Sequence, residues 1–294
     1  MDLNALLTHE SIDPATVLVL RHRPSQARLN RVLPWLASER PELFNAYQQI
    51  QGPKLEASMA KLVGTGHVAS FLGHHPGEAL FVGLYSIEAS RPLTLNQYAT
   101  HPANSELEGL GMSPWTGDDG RDRILWFDLT KTDFYSAWKG RLVVGWPPPE
   151  RSWWRRAHRN DFPVLAITEE SVLDGGMPEW DQINLSWAEL STLPARWKAA
   201  LAQWRAIYYI FDTLDGMAYV GSAYGSDNLL GRWMEYASRG DGGNKLLRGH
   251  DPANFRFSIL QRVSPDMEVA EVIRLEASWK ERLHTRRPHG LNDN

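Results

Sequence analysis

Two short apolar runs joined through an Asp-Gly pair constrain this chain more than any other feature. Ala206-Ile207-Tyr208-Tyr209-Ile210-Phe211 is rich in β-branched and aromatic residues. Asp215-Gly216 supplies a turn, and Met217-Ala218-Tyr219-Val220-Gly221 returns. This pattern predicts a β-hairpin. An isolated hairpin is barely stable in water, so flanking segments must cover it. Phe255-Arg256-Phe257-Ser258-Ile259-Leu260 reads as a third strand. One helix is predicted from about Asp227 to Ser238, capped by Ser226 or Asp227. Another starts at Ser264-Pro265, with Pro at its first position, and ends near His284. The glycine-rich loop Gly240-Asp241-Gly242-Gly243-Asn244 follows the first helix.

The chain before this hairpin is built differently. Eleven of the 13 Trp lie before residue 205, and only Trp233 and Trp279 lie after it. At 294 residues and 43% apolar content the chain is long enough for two domains, each with its own core. The boundary is expected near residue 204, giving domains 1–204 and 205–294. In the first, helical periodicity over about 25–62 is broken by Pro34, Pro41 and Pro53. Strand-like runs appear at 16–20, 79–85, 123–129, 141–146 and 162–167, separated by Gly, Pro and Asp clusters. Ser186-Trp187-Ala188-Glu189 reads as a capping box. The expected class is α+β: a small mixed β-barrel with flanking helices, then a three-stranded antiparallel sheet with helices.

Composition removes several function classes. With no cysteine there is no disulfide framework, no Cys-ligated zinc and no thiol nucleophile. No apolar run is long enough to span a membrane, and Met1-Asp2-Leu3-Asn4 does not open a secretory signal, so a cytoplasmic protein is expected. HExxH and GxxxxGK[ST] patterns are missing. A net charge of −4 argues against coating nucleic acid by bulk charge. Local basic stretches do exist. Arg21–Arg31 holds four Arg and no acid, and Arg121–Asn160 holds nine Lys/Arg against four Asp/Glu. Phosphate contact needs such a patch rather than a basic protein.

The residues that carry chemistry cluster after 205. Glu276 interrupts a helical stripe of Val269, Val272, Trp279 and Leu283. A carboxylate on an apolar face is costly unless it is ion-paired or holds a metal. Leu229, Arg232 and Tyr236 share the face of the earlier helix, so a guanidinium and a phenol point the same way. That Arg suits either a carboxylate partner such as Glu276 or a phosphate. Tyr208 and Tyr219 are eleven positions apart on adjacent strands. Each feature alone has an ordinary structural reading.

Taken in order, Ala206-Ile207-Tyr208, Tyr219-Val220-Gly221, Arg232, Glu276 and Asn292 resemble the GIY-YIG nuclease family over about residues 205–294. The resemblance implies metal-dependent hydrolysis of a DNA phosphodiester. It assigns Glu276 to Mg²⁺, with Mn²⁺ as an alternative, and Arg232 to charge developing on the phosphate. Tyr208 and Tyr219 orient the attacking water, Tyr236 competes with them as general base, and Asn292 anchors the site. Asn244 and Lys245 are further candidates for phosphate contact. Ala206 replaces the first Gly of the motif, and Val220 replaces Ile.

The segment before 205 loosely resembles PUA-like domains of the EVE and ASCH type. Those domains commonly hold a flipped or modified base among aromatic rings. Trp115, Trp126, Trp138, Trp146, Trp153 and Trp154 are the candidate rings, and Trp153-Trp154-Arg155 pairs rings with a cation. The expected function is a restriction or phage-defence endonuclease whose first domain selects the DNA, including through a modified base. The alternatives are a restriction enzyme reading unmodified sequence, with Arg21–Arg31 as the groove-entering helix, and a binding module with a vestigial nuclease. One site cuts one strand, so a double-strand cut calls for a homodimer, transient pairing or sequential nicking.

Overall fold

The computed structural model describes residues 1–173, 175–225, 228–239 and 246–293, with 237–239 as backbone only. The chain divides into two units, Met1–Gly175 and Gly176–Asn294.

The first unit contains, in chain order, α1 (Leu3–His9), β1 (Val17–His22), α2 (Ala27–Glu39), α3 (Pro41–Gln49) and α4 (Pro53–Ala60). Then come β2 (His67–Gly73), β3 (Glu78–Thr94), α5 (Leu95–Ala99), α6 (Pro102–Gly109) and β4 (Arg123–Lys131). The short strands β5 (Leu142–Gly145), β6 (Trp154–Arg156) and β7 (Val164–Ile167) complete it. The sheet order is β6-β1-β2-β3-β5-β7, with β4 pairing the far half of β3. This mixed sheet curls into a half-barrel with β6 and β7 as its outer strands. β1 and β2 are parallel, which requires the α2–α4 crossover between them. The first four residues of β1, Val17–Leu20, are apolar without alternation because both faces of the strand are covered. Leu18 and Leu20 face the core formed with α2–α6, while Val17 and Val19 face the core that holds Leu3, Leu6 and Leu7 of α1.

Proline acts differently here from the sequence expectation. Pro41, Pro53 and Pro102 each open a helix, where a missing N–H costs nothing. Pro34, expected to break the helical stretch, lies inside α2.

The second unit runs β8 (Asn184–Ser186), α7 (Trp187–Ser191), α8 (Ala195–Gln203), β9 (Arg205–Asp212), β10 (Ala218–Ala223), α9 (Asn228–Arg239), β11 (Phe255–Val263) and α10 (Val269–Arg282). The predicted capping box opens α7, with Ser186 and Glu189 bonding each other's backbone N–H. The antiparallel sheet has four strands in the order β10-β9-β11-β8, one more than expected. The extra strand precedes residue 204, so the division at 175/176 falls some thirty residues before the expected 204/205. The reason is packing: Leu185, Leu190, Leu193 and Leu201 belong to the same core as Tyr208, Trp233 and Phe257. The final helix begins at Val269 rather than at Ser264-Pro265. The Arg205 guanidinium draws the Ser264 and Met267 carbonyls together ahead of it, at 3.3 and 2.9 Å. No helix among the described residues is long and apolar enough to cross a membrane.

A fragment of residues 176–294 is expected to unfold cooperatively, whereas 205–294 loses four core leucines and leaves β11 an edge. Urea unfolding followed by tryptophan fluorescence checks this. A cooperative transition of equal midpoint for 205–294 would return the boundary to residue 204.

Candidate active site

Strand alternation sorts the hairpin residues onto two faces. Ala206, Tyr208 and Ile210 point to the core shared with Leu229, Trp233 and Tyr236 of α9. Ile207 and Tyr209 point to a second core with Val272, Leu275 and Trp279 of α10. Thus α9 and α10 cover opposite faces of one sheet. Of the predicted α10 stripe, Val272 is buried, but Val269 and Leu283 are exposed.

The hairpin register pairs Tyr208 with Gly221, so Tyr219 is the diagonal neighbour of Tyr208. A Cβ at Gly221 would lie 2.4 Å from the Tyr208 hydroxyl oxygen. Only glycine admits the ring there. Tyr208, Tyr219 and Tyr236 form a triangle with ring centroids 6.1–6.3 Å apart. The hydroxyls of Tyr208 and Tyr236 are 3.1 Å apart, and both side chains are buried. Burial raises all three phenols above the ordinary tyrosine pKa, Tyr208 and Tyr236 most. All three are therefore protonated at neutral pH.

Arg232 lies one turn before Tyr236, its guanidinium 6.0 Å from that ring. Burial alone would lower its pKa. The neighbouring Tyr208 and Tyr236 and the Glu235 carboxylate outweigh that and raise it. Its ion pair is with Glu235, at 2.7 Å, and both side chains are substantially exposed. Such a pair is worth little, so the guanidinium turns to an arriving anion at low cost.

Glu276 is paired elsewhere. One carboxylate oxygen is 2.7 Å from the Lys280 ammonium, four residues on, and the other accepts the Ser222 hydroxyl. Neither Ser222 nor Lys280 was singled out by sequence. Their signals were present: Ser222 directly follows the second motif, and Lys280 stands at i+4 from the carboxylate. Tyr219, Ser222, Tyr224, Gly225, Arg232 and Glu276 line a cleft of about 410 Å³. The cleft sits at edge strand β10 and takes residues from both sheet faces. Tyr208 and Tyr236 stand behind it, buried.

Asn292 binds the middle of β10. Its side chain accepts from the Val220 N–H at 3.0 Å and donates to the Val220 carbonyl at 2.8 Å. Together with the bond from the Leu291 N–H to the Ala218 carbonyl, it covers that stretch of the strand edge. It fixes the motif strand rather than lining the cleft.

The cleft offers a divalent metal one carboxylate and several hydroxyls, with no nitrogen or sulfur ligand. That donor set fits a hard cation that keeps much of its water shell, as Mg²⁺ does. Two other groups of three ligand-type residues occur among the described residues, and none of the six lines the cleft. His74, His75 and Glu78 lie in the first unit. In the second, Asp212, Asp215 and His250 brace the hairpin turn, with His250 Nδ1 at 2.8 Å from Asp212.

The aromatic candidates of the first unit separate. Trp115 and Trp153 line a cavity of about 500 Å³ together with Tyr47 and Tyr98. Trp126 and Trp146 are core residues. Trp138 stacks on Tyr135 with centroids 4.3 Å apart. Trp154 packs against the core from β6, and the Arg155 guanidinium binds the Pro147 and Pro149 carbonyls. Arg21–Arg31 is no continuous helix face: Arg21 is buried in β1 over the Trp146 ring, and α2 begins only at Ala27. Asn244, Lys245 and the predicted cap residues Ser226 and Asp227 lie outside the described residues.

Among solved structures, the chain is similar to the catalytic domain of the homing endonuclease I-TevI. The two are 28% identical with a TM-score of 0.26, over 31% of this chain and 98% of that chain. No family model and no curated protein matches the chain.

The phenols set a pH dependence. A raised folded-state pKa contributes stability that is complete below the unfolded value near 10 and is lost as pH rises through the folded value. Stability should be flat in this respect from pH 7 to 9 and fall above about pH 10. Tyr236→Phe should cost about 1–2 kcal/mol at pH 8 and weaken the alkaline fall. Denaturant unfolding across pH measures both, and an unchanged alkaline slope would remove Tyr236 as a source.

Proposed function

We propose that the second unit is a metal-dependent DNA endonuclease of the GIY-YIG type. The observation that carries the reading is the convergence of Tyr219, Arg232 and Glu276, from β10, α9 and α10, on one 410 Å³ cleft. The ordered motif of Tyr208, Tyr219, Arg232, Glu276 and Asn292 supports it independently.

Each group has a role that its surroundings permit. Glu276 holds Mg²⁺, or Mn²⁺ in its place, and Ser222 and Lys280 keep its carboxylate aimed at the cleft. When bound, the metal would supply positive charge against the scissile phosphate and a lowered pKa for water. Arg232 neutralises charge that develops on the phosphoryl oxygens. Tyr219 is the phenol in contact with the cleft and orients the attacking water. Tyr208 and Tyr236, buried and hydrogen-bonded to each other, position Tyr219 and Arg232. Asn292 holds the strand that presents Tyr219. The substrate is DNA, and the first unit selects where it is cut, including through a modified base.

Glu276→Ala should abolish cleavage of plasmid DNA in Mg²⁺ while leaving DNA binding intact, since it removes the sole carboxylate among the residues lining the cleft. Arg232→Ala should slow cleavage by about 10²–10³-fold without changing the unfolding midpoint. Retained cutting by Glu276→Ala would sink the proposed metal role. Loss of fold in Arg232→Ala would make that residue structural. Because burial keeps the Tyr219 phenol above its usual pKa, the phenolate fraction climbs throughout pH 7–9. If Tyr219 is the base, the rate climbs with it, by up to about tenfold per unit, and Tyr219→Phe flattens the profile.

A further inference from the structure

We propose that the hairpin joining β2 to β3 binds one Zn²⁺ through His74, His75 and Glu78. The site shares no residue with the cleft of the second unit and differs from it in donor chemistry.

The hairpin is tight enough to bring these three residues together. β2 ends at Gly73 and β3 begins at Glu78, and the ladder closes on the Gly73–Ala79 pair. Beyond that pair the His74 N–H donates to the Glu78 carbonyl at 3.3 Å. The Glu78 N–H donates to the His75 carbonyl at 3.0 Å, which closes a β-turn with Pro76 and Gly77 at its centre. Proline pre-sets φ at the first central position. Gly77 takes a φ of +73° at the second, the left-handed value that favours glycine. His75 and Glu78 are therefore the two ends of one turn, and His74 lies across from Glu78. In an extended strand, consecutive side chains point to opposite faces. Here the turn overrides that alternation: the His74 and His75 rings have centroids 4.1 Å apart, with their planes inclined by 49°.

One imidazole nitrogen from each histidine and one Glu78 carboxylate oxygen all lie within 4.8 Å of one another. Zinc bonds of about 2.0–2.2 Å in a tetrahedron separate neighbouring ligand atoms by roughly 3.4 Å. Small rotations of an exposed His75 and half-exposed His74 and Glu78 cover the difference. No hydrogen bond or ion pair among the described residues engages these three side chains, so binding breaks none. The other group, Asp212, Asp215 and His250, differs here, because His250 already holds Asp212 at 2.8 Å. Burial and the adjacent His75 lower the His74 pKa against the pull of Glu78, so the ring is neutral at pH 7 and has a lone pair to give.

Two imidazoles and a carboxylate form a three-ligand zinc set, with the fourth position left to water. Mg²⁺ prefers oxygen and gives up its water reluctantly, so the nitrogen donors select the softer ion. Bound at the turn, Zn²⁺ ties the end of β2 to the first residue of β3, the strand that pairs with β2, β4 and β5.

The test uses the full chain, stripped of metal by EDTA and dialysed, at neutral pH in excess Mg²⁺. Competition with a fluorescent zinc chelator gives stoichiometry and affinity. Expected is one Zn²⁺ per chain with a Kd of about 1 µM or below. His74→Ala and Glu78→Gln should each weaken binding by about tenfold or more. His250→Ala and Glu276→Ala should leave it unchanged, which separates the hairpin from the other group and from the cleft. Zn²⁺ should also raise the thermal unfolding midpoint of the unaltered chain and not that of His74→Ala. If His74→Ala lowers the metal-free midpoint, the exposed His75→Ala carries the comparison. Absence of binding tighter than about 10 µM, full affinity in both histidine variants, or loss of binding in His250→Ala or Glu276→Ala would each overturn the proposal. None of these readouts depends on whether the second unit cuts DNA.

Discussion

The contact of the Tyr208 ring with Gly221 organises the second unit. The hairpin register sets these residues opposite each other, and a side chain at 221 would collide with the phenol. With the ring seated there, its hydroxyl meets Tyr236 of α9, and α9 is anchored one turn from Arg232. Tyr219 falls diagonally beside Tyr208 and reaches the cleft. A glycine that looks like a strand weakness is thus what allows a sheet, a helix and a cation to share one point. Ala206, at the place where the motif resemblance expects Gly, faces Ala223 across the ladder. Both are small and fully buried, so the substitution leaves that contact intact.

The position of β10 explains why the cleft lies where it does. An interior strand would have neighbours on both sides, and no ligand of phosphodiester size could reach groups from both sheet faces. An edge strand presents both at once. The terminal segment covers part of that edge through Leu291 and Asn292, leaving the end near Ser222 and Gly225 open. Asn292 therefore does not line the cleft, yet it holds Val220, the strand residue next to Tyr219.

Much of this was legible in residue order. The hairpin, the third strand, the α9 and α10 helices and the capping box at Ser186 all follow from local chemistry. What escaped was long-range. β8 is three residues long, and only its pairing with β11 makes it a strand. That pairing moved the domain boundary. β6 is equally short and is held by β1. The sequence left the ion-pair partner of Glu276 open. Arg232 was a candidate, but the nearer Lys280 takes the carboxylate and Arg232 takes Glu235. In the first unit, tryptophan count said little about which rings were free. Trp126 and Trp146 serve the core, and two tyrosines joined Trp115 and Trp153 at the cavity.

The two sites differ in how their polar groups wait. In the cleft, Glu276 is held by Ser222 and Lys280, and Arg232 by Glu235, so each charge already has a counterpart. Such a site tolerates being empty, because neither charge is left without an opposite one. At the cavity of the first unit, Asn104 Oδ1 and His22 Nε2 are buried polar atoms with no hydrogen-bond partner. That arrangement carries a standing cost of about 1–3 kcal/mol for each unmet group.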